Sequence, residues 1–231
     1  MKIHNPKLWL LLCLPLLNAS PAAAQTNSQF APASLADIRR AMAKADTVFT
    51  RFAQERHLSL FTEPLRSEGY LCFQRPGRIR WETTAPYKSI LVSDGTSVAQ
   101  FEWTDGKWRK LDLGLGNALQ NVVSQIAGVI DGRYVSDRSS YAASVTNGAD
   151  GFVVTLTPQN ETIRKMMTAI EVHLAPDLKA TRRVVLCETD GDYTDIEFTK
   201  QVVNFELPPK TFDLDAPTDI GTIQAAAKAK P

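Results

Sequence analysis

Gly69-Tyr70-Leu71-Cys72-Phe73-Gln74-Arg75-Pro76-Gly77-Arg78-Ile79-Arg80-Trp81 is the stretch on which the fold turns. Two apolar runs flank Arg75-Pro76-Gly77, a combination that stops a helix and reverses the chain. Alternate side chains of a strand share a face, so Leu71, Phe73 and Arg75 project together. Ile79 and Trp81 share a face on the next strand. A link this short joins antiparallel neighbours, because a parallel pair needs a long crossover. An arginine in phase with apolar residues needs acceptors for its five donors if it points inward. The free C-terminal carbonyls of a covering helix are such acceptors, so Arg75 can latch a lid. The alternative is a strand-end arginine in water.

The same pattern extends outward from this unit. Strands are expected over 67–75, 77–85, 88–94, 98–104 and 107–113, separated by Pro, Gly and Asp-Gly signals. Asp105-Gly106 is the strongest hairpin signal, since both residues tolerate the positive φ of a type I′ turn. It sets Trp103 opposite Trp108. Strands resume over 135–146, 151–157, 168–175, 180–189 and 192–200, with Asp190-Gly191 as another hairpin candidate.

Two helices are expected to interrupt or precede the strands. In the first, Ser34 caps and Asp37 answers it three residues on. Leu35, Ile38, Met42, Ala45, Val48, Phe49 and Phe52 then recur at steps of three and four, predicting one helix through Phe52. The second spans 117–131, with Leu119, Val122, Val123 and Ile126 on an apolar stripe. The chain end from about Ala216 is Ala/Lys-rich without periodicity and is expected to fray. About ten strands in one sheet tend to curl or close. The expected fold is therefore mainly β, an incomplete antiparallel barrel or strongly curved sheet with a helical lid over an apolar cavity. Such stripes also occur as plain core packing.

The N-terminus reads as an export signal. Lys2 and Lys7 precede an apolar run, Leu8 to Leu17, too short to span a bilayer, and Ala22-Ala23-Ala24 sets the cut after Ala24. Cys13 sits inside the apolar run, which argues against lipidation. Residues 25–231 then form a single domain in an extracytoplasmic space, the bacterial periplasm. The formal net charge of the 231 residues is +1, and both leader lysines are lost on cleavage. No basic excess is left to hold nucleic acid or an anionic membrane. Cys72 and Cys187 are a possible disulfide in that compartment, with two buried thiols as the alternative.

Signals for catalysis are sparse. His57 and His173 each stand alone, so no metal or other cofactor is expected. No nucleophile elbow, P-loop or dinucleotide fingerprint is present. Asp190-Gly191-Asp192 lacks the spacing of a calcium loop. The apolar residues expected to line a ligand cavity are Phe49, Phe52, Leu71, Phe73, Ile79, Trp81, Ile90, Val92, Phe101 and Trp103.

Several motifs, in this order, carry a family likeness. They are Phe49-Thr50-Arg51-Phe52-Ala53-Gln54 as a helix end, the Gly69–Trp81 unit, Ala85-Pro86 and Ile90-Leu91-Val92-Ser93-Asp94-Gly95. Ile196-Glu197-Phe198 and Phe212 after Pro208-Pro209 complete the set. Together they resemble the periplasmic outer-membrane lipoprotein carrier family, LolA. The resemblance implies a carrier or chaperone, not an enzyme, whose cavity shelters the acyl chains of a lipoprotein or a related hydrophobic product. It implies an inner-membrane transporter as donor, an outer-membrane acceptor and a monomer. The family's functional arginine falls on Arg75, where it would tie a closed lid and release it when cargo enters. Ile79 stands where the family has a large aromatic residue, and the Trp103/Trp108 hairpin is sharper, which marks a divergent member. A regulatory or structural lipid-binding module is the alternative within the fold, and a cell-envelope hydrolase the alternative outside it.

Overall fold

Ser34 and Asp37 cap the first described helix as expected. The Ser34 hydroxyl accepts from the Asp37 N–H at 3.2 Å, and the Asp37 carboxylate accepts from the Ser34 N–H at 3.0 Å. This reciprocal cap opens helix α1, Leu35–Met42. These details come from a computed structural model, which describes residues 33–111, 127, 128, 130, 132, 140–148 and 150–229. The expected signal segment with its cut after Ala24, and Leu119, Val122, Val123 and Ile126 of the expected second helix, lie outside the described residues.

The helix does not run to Phe52. It ends at Met42, and Thr47–His57 is strand β1. The physical reason is visible in the residues. Thr47, Val48, Phe49, Thr50 and Phe52 are β-branched or aromatic, and the segment is buried on both faces. A strand covered on both sides has apolar residues at both parities, which imitates a helical repeat. The likeness of Phe49–Gln54 to a helix end fails for the same reason.

The remaining strands are β2 (Leu65–Gln74), β3 (Arg78–Ala85), β4 (Ser89–Ser93), β5 (Val98–Thr104) and β6 (Lys107–Lys110). After the insertion come β7 (Tyr141–Gly148), β8 (Gly151–Pro158), β9 (Met167–Leu174), β10 (Thr181–Glu188) and β11 (Tyr193–Val203). A short helix α2 (Glu161–Arg164) precedes β9, and α3 (Ile220–Lys228) is the last described element. The eleven strands form one antiparallel sheet in the order β6, β5, β4, β3, β2, β1, β11, β10, β9, β8, β7. Edge strands β6 and β7 do not pair with each other, so the sheet stays open, as an incomplete barrel does. Asp105 (φ 54) and Gly106 (φ 75) make the expected primed turn, and the Trp103 and Trp108 rings meet edge-on at 5.2 Å. Gly69 has a different task. A Cβ there would collide with the Glu82 carbonyl and the Phe52 ring, so the close approach of β2 to β3 requires glycine.

Both faces of the sheet carry core. On the first face, Ile38 and Met42 of α1 pack on Phe152, Val154, Ile170, Val172 and Val184. Next to them, Val48 and Phe73 meet Ala127, and Leu71 and Ile79 meet Ile130. On the second face, Phe49 and Cys72 lie under Phe205, Ile223 and Ala227. Ile90, Val92, Ala99 and Phe101 lie under Phe212 and Leu214. The C-terminal segment expected to fray therefore ends in a helix. Asp219 caps α3 through the Gly221 N–H at 2.8 Å, and Ile223 is fully buried. Its short apolar stripe, Ile220, Ile223 and Ala227, is hidden in an alanine-rich composition.

The disulfide is absent. Cys72 and Cys187 are free. β1 and β11 separate their strands, about 14 Å at the usual strand spacing, twice the span a disulfide bridges. They are also offset along the sheet. Cys72 stands opposite Phe49, whereas Cys187 stands opposite Tyr193, which faces His57. Burial pushes the Cys72 thiol up to about 12.

Candidate functional site

The site is assembled where α1 ends over the first face. A helix leaves its last carbonyls without intrahelical partners. Arg75, at the β2–β3 turn, supplies donors for two of the carbonyls at this end. Its Nε donates to the Ala45 carbonyl and its Nη2 to the Met42 carbonyl, both at 2.9 Å. Its backbone N–H donates to the Asp46 carbonyl at 2.9 Å. The guanidinium carbon also sits 6.0 Å from the Phe73 ring centre. The turn geometry delivers Arg75 to this place because the side chain continues the Leu71, Phe73 face.

A second clamp was not legible in the sequence. Asn204, just past β11, has φ 55 and donates from Nδ2 to the Lys44 carbonyl at 2.9 Å. Its Oδ1 accepts from the Asp46 N–H at 2.8 Å. The one available signal is residue type, since asparagine tolerates a left-handed backbone. Arg75 and Asn204 together hold the α1–β1 connection from two strands.

Beside α1 the same face of the sheet is apolar. Phe52, Leu71, Phe73, Ile79 and Trp81 share it, with Phe52 and Trp81 rings 4.2 Å apart and Ala127 and Ile130 packed against their clusters. A cavity of about 50 Å³ remains between α1 and the sheet, walled by Met42, Val48, Leu71, Leu174 and Phe198. Ligand pockets usually hold ~300–1,000 Å³, so this space is smaller than a typical ligand site.

The other five predicted lining residues are elsewhere. Phe49, Ile90, Val92 and Phe101 lie on the second face, filled by the C-terminal segment. Trp103 shares their parity but is 41% exposed, with Lys88 5.3 Å from its ring centre. Parity alone cannot say which face a strand turns inward, and register flips the assignment from strand to strand.

The second face also hides a charge pair. Arg80 and Glu82 are both almost fully buried. Arg80 Nη2 and Nε reach Glu82 Oε2 at 2.6 and 3.0 Å, and Nη1 reaches the Thr211 carbonyl at 3.4 Å. Burial raises the Glu82 carboxyl above its usual range, and Arg80 pulls partly against that shift. At the β10–β11 hairpin, Glu188, Asp190 and Asp192 approach one another. Glu188 faces Arg56 at 3.3 Å and Asp192 accepts from the Ser59 N–H at 2.6 Å, so two of the three are committed to protein donors.

An open antiparallel sheet with an apolar face, on which a helix end is tied down by an arginine, defines the class: a mainly β protein with a helix-covered apolar face. The family comparison is consistent with that class and more specific. Residues 43–215 match the model of the outer membrane lipoprotein carrier protein LolA, and the chain belongs to that family. An outer-membrane lipoprotein carrier protein of Pseudomonas fluorescens is 24% identical, covering 93% of this chain and 97% of its own length. One from Bordetella avium is 25% identical over 71% of this chain and 73% of its own. Among solved structures, a LolA superfamily protein of Nitrosomonas europaea aligns with 80% of this chain and 99% of its own, at 9% identity and a TM-score of 0.43. Among the described residues no helix is long and apolar enough to cross a membrane, which says nothing of β-barrels.

Proposed function

We propose that this protein is a periplasmic carrier, cleaved after Ala24, that shelters acyl chains and delivers them toward the outer membrane. The cargo is a lipoprotein or a related hydrophobic product. It is taken from an inner-membrane donor and passed to an outer-membrane acceptor by a monomer, without covalent chemistry. One observation supports this reading above others: Arg75 ties the end of α1 to an apolar sheet face, with a space of only about 50 Å³ between them.

The energetics fit such a device. Cargo cannot enter until α1 moves, and moving it breaks the Arg75 bonds. Hydrogen bonds to a charged group contribute roughly 1.5–3 kcal/mol each. A buried methylene returns about 0.8 kcal/mol, so a few methylenes offset the latch. A long acyl chain would otherwise bind too tightly to leave, and a competing closed state lowers its apparent affinity. Phe52, Leu71, Phe73, Ile79 and Trp81 are the contacts we assign to the chain, with the 117–131 stripe as the second cover.

Native mass spectrometry of protein gently purified from the periplasm tests the reading. The expected result is a co-purifying lipid, acylated peptide or pigment. A clean apo mass, with no uptake of added acyl ligands, would contradict it.

A further inference from the structure

Five connections close one end of the sheet: β1–β2 (58–64), β3–β4 (86–88), β5–β6 (105, 106), β8–β9 (159–166) and β10–β11 (189–192). Among the described residues, every large apolar side chain left exposed lies at this end. Leu60, Phe61 and Leu65 belong to the first connection and the strand it enters, and Leu60 is 85% exposed. Tyr87, 83% exposed, is in the second, and Trp103 stands just before the third. Met166 closes the fourth and Tyr193 follows the fifth. The opposite end carries the Arg75 turn and the end of α1, and no exposed large apolar side chain among the described residues. Exposed apolar residues are ordinary when they are scattered over a surface. These are gathered at one end.

The register brings the tips to a common level. Glu102, Ser89, Thr83, Gly69, Phe52 and Phe198 are successive partners in a row across β5, β4, β3, β2, β1 and β11. Trp103 lies one residue beyond this row, Leu65 four and Tyr193 five. The climb is on the order of one residue per strand, as strands tilted ~35–45° to a common axis require at an even rim.

The chemistry of the rim selects its occupant. A protein partner meets a contiguous apolar core from which charge is depleted. Here the apolar tips stand apart, with charged residues between them. The five connections carry Lys88, Arg164 and Lys165 against Glu63, Asp105, Glu161, Asp190 and Asp192, so nothing in the rim draws it to an anionic surface. A bilayer accepts separate anchors. Leu, Phe and Met enter the acyl boundary singly, Tyr and Trp rest at headgroup level, and Lys and Arg stems reach back to water. Trp103 already has this arrangement, with the Lys88 ammonium 5.3 Å from its ring centre.

From this we infer that the rim docks on the surface of a zwitterionic phospholipid bilayer, with Leu60 and Phe61 as its leading anchors. The inference goes beyond the carrier reading. On that reading, docking sets the end of the sheet remote from the Arg75 latch against the membrane that gives or takes the cargo.

The test is flotation of protein purified from the periplasm with vesicles of phosphatidylcholine and phosphatidylethanolamine. Wild type should float with the vesicles. Leu60→Ser/Phe61→Ser, changed only at exposed positions, should partition at least roughly tenfold more weakly. Added phosphatidylglycerol should not strengthen binding, and raised salt should not weaken it. In a Cys187→Ser background, where the remaining Cys72 is buried, a polarity-sensitive dye attached in Thr62→Cys should shift to the blue on vesicles. The same dye in Thr96→Cys, exposed at the opposite end, should not. Failure of wild type to float, undiminished binding by the double variant, binding that requires anionic lipid, or a shift confined to the Thr96→Cys protein overturns the inference. Cargo seen by native mass spectrometry in protein that does not float overturns the docking alone. Flotation of protein with a clean apo mass and no acyl uptake overturns the carrier reading alone.

Discussion

Replacing Arg75 by leucine removes the latch while keeping an apolar side chain in phase with Phe73. Two bonds of 2.9 Å to Met42 and Ala45 disappear. Each is worth roughly 1.5–3 kcal/mol for a charged donor. The site is only part-buried, so water takes over some of the lost hydrogen bonding, and the net loss comes to about 2–3 kcal/mol. That loss falls on α1 and not on the sheet, because the Arg75 backbone bond to Asp46 and the Asn204 clamp survive. Native-state hydrogen exchange reads it directly. Amides of Leu35–Met42 should lose about 30–150-fold in protection, whereas those of the β1, β2 and β11 ladders keep theirs. Equal α1 protection in the variant and the wild type would refute the idea that Arg75 holds the helix.

Other perturbations probe the rest of the account. Arg80→Leu leaves Glu82 buried without its partner and should cost about 3–5 kcal/mol in denaturant unfolding. A carboxyl raised by burial takes up a proton in the folded state before the unfolded chain does, so lowering pH through that interval adds stability. The Arg80→Leu deficit should accordingly shrink on acidification, and a deficit that grows would contradict the buried-pair assignment. Ile223→Ala, which opens a cavity under α3, should cost roughly 2–5 kcal/mol, and a near-neutral result would mean that α3 is not part of the core. A thiol reagent should label Cys187 in the native protein and reach Cys72 only on unfolding. A non-reducing mass lower by two hydrogens would instead reveal a bridge.

Much of the sheet was legible because its turns carry strong chemistry. Asp105-Gly106 and Arg75-Pro76-Gly77 fix local reversals that need no tertiary information, and the strands they join begin within two residues of the expected positions. β1 was not legible, since burial on both faces removes the alternation that marks a strand. The C-terminal helix escaped because one buried isoleucine among alanines makes no visible stripe. The site was half legible. Arg75 stood out because a charge in phase with core residues demands acceptors. The lining set divided between two faces, since strand parity is blind to which face meets α1. Arg80 and Glu82 share a face two residues apart on β3, but nothing local distinguishes a buried pair from an exposed one. Asn204 acts across 160 residues on Lys44, a relation that only the folded chain makes.

On the proposed reading, the Arg75-held closed state opposes cargo and so allows its release. Transfer from loaded carrier to acceptor membranes, followed for wild type and Arg75→Leu with the same acylated cargo, tests it most directly. With the latch gone, the closed state no longer competes, so Arg75→Leu should fold normally, load fully and stay loaded after wild type has discharged. Normal transfer by Arg75→Leu would contradict the account.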